Sequence, residues 1–341
     1  MIRKQYNAVR NSVGLFDLND QAKILVKGED GEKLLDTVIT GNSYALAEGD
    51  AVYTAICHEN GGVSALIWLL RDEEFFYILS DTQKRETILE CLKSADQGNV
   101  VELEDVSEKM GCLSIIGPDS FDVAQEFVGD DIYGLPYLGC EHHCVDNLEF
   151  LTSRIGVTGE YEYRFMLPKD SINVLRQRLM EAASVCGIEI LQCDPAVLDT
   201  CLLEMKSINQ NKDFDHTITL LEAGLHWMVD FRKEQFIGHD SIFQAKRGDL
   251  KQKLLLLTVE NSQALAKKRK VFLNGKGTVG YITHWEYSPT LDKGIALACI
   301  DGRYAWVGLE FEIAMNGGEI VKAQSESPPL FETKTTIKVR S

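Results

Sequence analysis

The stretch HENGGVSALIWLLRDEEFFYILSD, residues 58–81, decides the fold prediction for this chain. A Gly-Gly turn leads into an apolar segment, a charged turn follows, and a second apolar segment ends at Ser80-Asp81. Two apolar runs of strand length on either side of a short polar turn predict an antiparallel β-hairpin. Its first strand carries no carboxylate, whereas its second strand ends on one, and this asymmetry requires an explanation.

The sequence around the hairpin mixes strand and helix patterns. From residue 50 to 128 the predicted order is strand, strand, helix, strand, strand, helix, which favours an α+β layer with antiparallel strand pairs. After about residue 250 the pattern changes to short strands with Gly and Asn turns, typical of a small all-β barrel or sandwich.

Composition restricts the function classes. The 341 residues are 45% hydrophobic and 26% charged, and the formal net charge of −17 argues against a nucleic-acid partner. No apolar run approaches the length of a membrane span, and the N-terminus has no hydrophobic signal segment. We therefore expect a cytoplasmic protein, monomeric or homodimeric, without a membrane or nucleic-acid partner.

Two clusters have competing interpretations. The nine cysteines are unevenly spaced, which favours reduced thiols over a disulfide framework. The segment from Cys140 to Cys144 includes two histidines and could bind zinc. No second Cys/His pair follows at zinc-finger spacing, so no metal site is predicted. The basic run from Lys267 to Lys270 is either a solvated turn or a landing site for a small polyanion such as a polyglutamylated cofactor.

Five motifs together carry a family resemblance. They are NAVRNSVGLFDLND (7–20), EGDAVYTAICHENGGV (48–63), GVTGEYEYRFMLP (156–168), FIGHDSI (236–242) and SPTLDKGIALACI (288–300). In order and spacing these motifs are similar to the glycine-cleavage T-protein family, which comprises aminomethyltransferases and related tetrahydrofolate-binding proteins. The resemblance implies a three-domain cloverleaf around a central folate hole: two intertwined α+β domains over 1–248, with a ferredoxin-like part at roughly 50–130, and a β-barrel over 249–341.

The resemblance implies that Glu160 binds the cofactor. Its segment, GVTGE, is similar to a family turn whose glutamate holds the pterin, and one carboxylate can accept two adjacent pterin N–H groups. Gly156 and Gly159 would let the backbone approach the ligand. Alternatively, the turn is an ordinary hairpin with an exposed glutamate. Val157, also assigned to cofactor binding, stands where the family has a tyrosine, so one contact to the cofactor is lost.

Two aromatic residues match family positions near the folate hole. Tyr53 corresponds to a tyrosine that faces the hole and is assigned catalytic and cofactor-binding roles; a buried core tyrosine is an equal alternative. Trp227 corresponds to a family tryptophan and is either a ligand platform or a packing residue.

The resemblance also explains the opening stretch. Family members that cleave glycine carry an aspartate pair after the Gly-Gly turn, and Ala65 and Leu66 match those positions here. Family arginines are also missing: one segment has Leu198 and Leu202 instead, and the C-terminal arginine falls near Ala314-Met315. Glycine cleavage is therefore not expected.

Asp81 is the candidate replacement for the missing acid. It matches a family asparagine that faces the pocket, and we assign it catalytic and cofactor-binding roles. The alternative is an N-cap for the following helix, and the two roles are compatible.

The predicted function is tetrahydrofolate-dependent one-carbon or methyl transfer on a small-molecule donor or acceptor, with tetrahydrofolate or its 5-methyl or 5,10-methylene form as cofactor. The alternative is a non-catalytic folate-binding accessory or scaffold protein. Two polar segments special to this chain face either a substrate or solvent: His284 and Trp285, and the 207–216 loop with His216.

Overall fold

A computed structural model of the chain describes residues 2–96, 98, 100–214, 218–260, 269–315 and 319–337. Its strands are β1 Val13–Asp17, β2 Ala22–Lys27, β3 Ala51–Cys57, β4 Val63–Arg71, β5 Phe75–Ser80, β6 Glu102–Asp105, β7 Met110–Ile116, β8 Gly139–Val145, β9 Leu148–Arg154, β10 Glu162–Pro168, β11 Ile190–Cys193, β12 Gln252–Val259, β13 Lys270–Leu273, β14 Gly277–Ser288, β15 Lys293–Asp301, β16 Glu310–Ala314 and β17 Ile320–Glu326. Its α-helices are α1 Ile2–Asn11, α2 Gly31–Val38, α3 Arg85–Ala95, α4 Ser120–Val128, α5 Ile172–Val185, α6 Val197–Glu204, α7 His239–Arg247 and α8 Lys334–Ile337.

The opening hairpin is β4–β5, at the centre of a five-stranded antiparallel sheet in the order β3-β4-β5-β2-β6. One face packs against helices α2 and α3, and the other packs against residues of the second sheet, such as Leu151 and Met166. A strand covered on both faces is apolar at every position, because neither face contacts water. This double coverage accounts for the unbroken hydrophobic run in β4.

The second sheet has six strands in the order β11-β1-β7-β10-β9-β8, with α4 and α5 packed on one face. The chain enters it at β1, leaves to build β2 to β6 of the first sheet, and returns at β7, so the two α+β units are intertwined. The ferredoxin-like range of 50–130 does not follow this division. It omits β2, which lies between β5 and β6, and it includes β7 and α4, which belong to the six-stranded sheet.

The C-terminal strands form a closed barrel in the order β12-β15-β14-β13-β16-β17, and β17 pairs back onto β12. The core of the barrel consists of small and branched apolar side chains, among them Leu257, Ala298 and Ile313. The structure thus decides between the two all-β architectures that the sequence allows, and it confirms the α+β fold with a C-terminal barrel.

Within the described ranges, no helix combines the length and apolar character that crossing a bilayer requires. Over the same ranges, no group of three or more His, Cys, Asp or Glu side chains is arranged to hold a metal ion. Every cysteine is a free thiol. His216, Lys267 and Lys268 lie outside the described residues.

Candidate functional site

Three adjoining cavities lie between the two sheets, the 207–212 segment and the loop that carries Trp227. The central chamber measures about 410 Å³, the aromatic chamber about 510 Å³ and the side chamber about 250 Å³. Tyr53 and Val157 line all three. The central chamber also contacts Leu66, Trp68, Ser80, Asp81, Glu162, Arg164, Asp199, Asn209, Gln210 and Lys212. Four of the five predicted site residues therefore line these chambers: Tyr53, Asp81, Val157 and Trp227.

Strand β4 presents alternate residues to opposite sides of its sheet. Ala65 packs with Ile67 in the core beneath the helices, whereas Leu66 and Trp68 line the central chamber. Of the two positions that match the family's aspartates, Leu66 is thus the one that faces the cavity, and Ala65 is not part of its wall. The Gln210 side chain accepts a hydrogen bond from the Leu66 amide at 2.7 Å and donates to the Leu66 carbonyl at 3.3 Å.

An aromatic cluster forms the shared wall of the chambers. The Tyr53 and Trp68 rings stack with centroids 4.5 Å apart, and the Trp227 ring lies 6.3 Å from Tyr53. Trp227 is 59% exposed and lines the aromatic and side chambers, so it is not a core packing residue. Burial raises the pKa of Tyr53, with the Arg164 guanidinium partly opposing that shift, which keeps the Tyr53 hydroxyl protonated.

Asp81 has both features that the sequence suggests. Its carboxylate accepts a hydrogen bond from the Gln83 amide at 2.9 Å, which caps the short 3₁₀ helix Thr82–Lys84. The half-buried residue also lines the central chamber. Its catalytic role stays a prediction.

Glu160 is buried away from the three chambers. Its side chain is 0% exposed and does not contribute to the chamber walls. One carboxylate oxygen accepts from the Arg10 guanidinium at 3.2 Å, and the other accepts from the Thr335 hydroxyl at 2.6 Å. A pterin could reach this carboxylate only by displacing both partners. The geometry gives Glu160 a structural role, and its contact to the cofactor stays a prediction.

The glycines of this turn serve packing as well. A Cβ atom on Gly156 would lie 2.4 Å from a carboxylate oxygen of Glu162. A Cβ on Gly159, where φ is +82°, would lie 2.6 Å from the Met205 sulfur. The turn thus needs glycine to admit neighbouring side chains rather than a ligand.

Glu162 and Arg164 are the chamber residues that the sequence interpretation missed. Both are buried, both line the central chamber, and Nε of Arg164 donates to Oε1 of Glu162 at 2.7 Å. Ser114 donates to the same oxygen at 3.3 Å. The second oxygen, Oε2, accepts no hydrogen bond from any residue that the structure describes, and the guanidinium stands 5.8 Å from the Trp68 ring.

A sequence signal for this pair exists. In EYRFMLP, residues 162–168, charged residues alternate with aromatic ones, and side chains two apart share a face of a strand. Tyr163 and Phe165 enter the core of the six-stranded sheet, so Glu162 and Arg164 point to the opposite side. A charged pair on the inner face of a buried strand indicates a functional site.

His284 joins the barrel to the loop before residue 215. Nδ1 of the buried His284 lies 3.1 Å from Oδ1 of Asp213, and Nε2 lies 3.3 Å from Oε1 of Glu286. Lys212 pairs with Asp199 and lies 3.6 Å from Glu286. Burial by itself would lower the pKa of His284, but the two carboxylates outweigh it and raise the pKa to about 9. His284 therefore fixes the loop that forms one wall of the central chamber and is itself not part of that wall.

The chambers fit a reduced folate by their chemistry. A pterin edge presents adjacent N–H donors beside an acceptor oxygen, which a carboxylate next to a guanidinium complements. Glu162 and Arg164 supply that combination, while Tyr53 and Trp68 offer flat apolar surfaces for stacking. Fold and site together define an α+β ligand-binding protein with a C-terminal barrel and a cavity suited to a flat heterocycle.

Comparison with known proteins identifies the family. The family model for the GCVT N-terminal domain matches residues 1–233, and the model for the glycine cleavage T-protein C-terminal barrel domain matches residues 252–332. The chain therefore belongs to the glycine-cleavage T-protein family of folate-dependent aminomethyltransferase-like proteins, whose members bind tetrahydrofolate. The sequence resemblance and the predicted cofactor are thereby confirmed.

Individual relatives agree with this assignment. The aminomethyltransferase of Thermotoga petrophila is 30% identical over 335 residues, which cover 97% of this chain and 89% of that protein. That of Caldanaerobacter subterraneus subsp. tengcongensis is 30% identical over 318 residues, covering 92% and 83%. The crystal structure of glycine cleavage system aminomethyltransferase T from Bartonella henselae superposes with a TM-score of 0.86 at 20% identity, covering 97% and 90%, and confirms the fold.

Proposed function

We propose that this protein is a tetrahydrofolate-dependent one-carbon or methyl transferase that acts on a small molecule rather than on the aminomethyl carrier of glycine cleavage. The observation that carries the proposal is the chamber face of β4, which presents Leu66 and Trp68 and no carboxylate. The acidic groups of the chamber come from other segments, with Asp81 after β5 and Glu162 at the start of β10.

Glu162 and Arg164 would hold the pterin edge, and the Tyr53–Trp68 stack would fix the plane of its ring. When bound, a reduced folate supplies a nucleophilic ring nitrogen that accepts or carries the one-carbon unit. The role of the protein is then mainly positioning, which can lower a barrier by several kcal/mol, on the order of 7–11 in favourable cases.

The apolar wall suits a donor with an onium group, such as a sulfonium or a quaternary ammonium. Such a donor leaves as a neutral molecule when its carbon–heteroatom bond breaks, so no general acid is needed at β4. One proton must leave the accepting nitrogen for the charges to balance, and the Asp81 carboxylate in the chamber would take it. Leu66 and Trp68 exclude water from this step.

We also propose the setting of the activity: a small-molecule one-carbon donor or acceptor as partner, in the cytoplasm, with the protein as monomer or homodimer. The competing function is a folate-binding accessory or scaffold protein without turnover. The two differ in one measurable property, which is conversion of the bound folate in the presence of candidate donors.

The variant Asp81→Asn tests the proposal. Asn caps helices nearly as well as Asp, so we expect a stability change of at most about 1 kcal/mol. Loss of a general base should lower the methyl-transfer rate roughly 10²–10⁴-fold. Asp301→Asn is the matched control, because Asp301 caps the 3₁₀ helix Gly302–Tyr304 of the barrel in the same way and does not line the central chamber.

Two results would contradict the proposal. An unchanged methyl-transfer rate in Asp81→Asn would show that Asp81 is not the general base. Turnover of an aminomethyl-lipoyl carrier by the wild-type protein in a reconstituted glycine-cleavage assay would show that the substrate assignment is wrong. Tight folate binding without turnover of any sulfonium or quaternary ammonium donor would favour the accessory function.

A further inference from the structure

Lys206 is a lysine in the wall of the side chamber. It follows the end of α6, and its neighbours in this wall include Tyr53, Leu66, Val157 and Trp227. Tyr53 and Val157 also line the central chamber, so a ligand in that chamber could extend toward the lysine. The ammonium is close to Gly224: a Cβ atom built on that glycine would lie 3.5 Å from Nζ.

The ammonium of the half-buried Lys206 lacks the partners that the buried lysines Lys23 and Lys233 have. Lys23 donates to two backbone carbonyls, and Lys233 donates to the carbonyls of Ile39 and Gly41 and lies 3.1 Å from Oδ1 of Asp36. For Lys206, the described part of the chain provides neither an ion pair nor a hydrogen bond to Nζ. Burial lowers the pKa of Lys206, and no carboxylate opposes that shift.

The backbone at Lys206 is also unusual. Its φ is +55°, in the left-handed region that favours glycine and that a residue with a Cβ occupies at an energetic cost. Strained residues of this kind cluster at ligand clamps, where the strained conformation aims a side chain. Lys206 thus combines a half-buried ammonium without a described partner and a backbone conformation that costs energy, and the fold gains no contact from either.

We propose that Lys206 forms an anion subsite, which binds a carboxylate of the ligand held in the chambers. This inference rests on the proposed function. The carboxylate belongs either to the one-carbon substrate, which would then be a small methylated acid, or to the glutamyl tail of the folate. In the first case Tyr53 and Trp227, which line the same chamber, would face the onium end of the acid, since aromatic faces attract such cations.

The test uses Lys206→Gly, because glycine suits the left-handed backbone while the substitution removes the side chain together with its ammonium. The control is Lys251→Met, which removes a charge from an exposed lysine that does not line the chambers. Calorimetry would compare wild type and variants with three probes: tetrahydrofolate, tetrahydropteroate, which lacks the glutamyl tail, and trimethylammonioacetate. Melting would be measured in parallel.

We expect Lys206→Gly to melt at the wild-type temperature or above it. Its affinity for one carboxylate-bearing probe should fall at least about 10-fold. If the affinity for tetrahydrofolate falls and the affinity for tetrahydropteroate does not, Lys206 binds the carboxylate of the glutamyl tail. If only the affinity for trimethylammonioacetate falls, Lys206 binds the carboxylate of the substrate. The control Lys251→Met should change neither the melting temperature nor the affinity for any probe.

The inference is overturned if the affinities of Lys206→Gly for all three probes stay within about threefold of the wild-type values. It is equally overturned if the wild-type protein binds neither tetrahydrofolate nor trimethylammonioacetate, the two probes that carry a carboxylate. It is also overturned if the variant loses stability and keeps its affinities, since the lysine is then structural. Failure of tetrahydropteroate to bind the wild-type protein would instead contradict the proposed folate function, so the two failures are distinguishable.

Discussion

Glu160 and Glu162 are two residues apart, both buried, and differ in how completely their oxygens are used. Glu160 belongs to a cluster in which Arg10 makes five hydrogen bonds, to Glu160, to Glu204 and to two backbone carbonyls. Glu162 lines the central chamber and binds Arg164 with one oxygen, while no described residue donates a hydrogen bond to its other oxygen. In the first cluster, by contrast, both oxygens of Glu160 and both oxygens of Glu204 accept hydrogen bonds.

The cluster around Arg10 connects distant parts of the chain. Arg10 lies on α1, Glu160 in the turn before β10, and Glu204 at the end of α6, where its carboxylate also accepts from Tyr6 and from Ser288 at the end of β14. A guanidinium has five N–H donors, and every one is used here. This cluster joins the unit of the six-stranded sheet to the barrel. It does so with residues that a motif search also finds, which is why motif membership alone does not distinguish structure from binding.

The variant Arg10→Met should show the largest effect, because it leaves two buried carboxylates without a cation. Breaking a buried ion pair costs about 3–5 kcal/mol of stability, so denaturant unfolding should show a loss of this size. Lys4→Met is the control, since its ion pair with Glu189 is exposed and should contribute less than about 1 kcal/mol. Similar losses in the two variants would show that the cluster is not a structural joint.

The cluster around His284 is a second buried ion-pair network, and its contribution to stability depends on pH. The folded-state pKa of His284 is about 9, whereas an unperturbed histidine has a pKa of about 6.5. A pKa raised by folding adds stability that is fully present below about pH 6.5 and is lost as the pH rises through about 9. Wild type should lose up to roughly 3 kcal/mol over this window.

His284→Gln should remove this part of the pH dependence in urea unfolding measured from pH 6 to 9.5. The exposed His226 offers the control His226→Gln, which should keep the wild-type slope. An unchanged slope in His284→Gln would mean that the contacts with Asp213 and Glu286 do not hold the proton.

The fold could be predicted from the sequence because its signals are local or repeated. The apolar runs of β4 and β5 and the short strands after residue 250 each appear as predicted. The exchange of strands between the two sheets could not be predicted from local pattern. Strand β2 pairs with β5, more than fifty residues later, and such pairing depends on tertiary packing.

The site could be predicted only in part. Tyr53, Asp81, Val157 and Trp227 line the chambers, whereas Glu160 does not, because the direction of a carboxylate depends on where the strand begins. A shift of one residue in a strand exchanges its two faces, and Glu160 precedes β10 in a turn that points it toward Arg10. Lys206 gave no signal in the sequence, since its significance comes from a backbone angle and from the lack of a partner among the described residues.

The direct test of the central claim compares Glu160→Gln and Glu162→Gln for tetrahydrofolate binding by calorimetry, with unfolding measured on the same samples. We predict that Glu162→Gln weakens binding about 10–100-fold, because a hydrogen bond to a charged group contributes roughly 1.5–3 kcal/mol. Glu160→Gln should stay within about threefold of wild-type affinity and lose stability instead, because its carboxylate serves Arg10 and Thr335. The reverse result, with affinity lost in Glu160→Gln and kept in Glu162→Gln, would contradict this account.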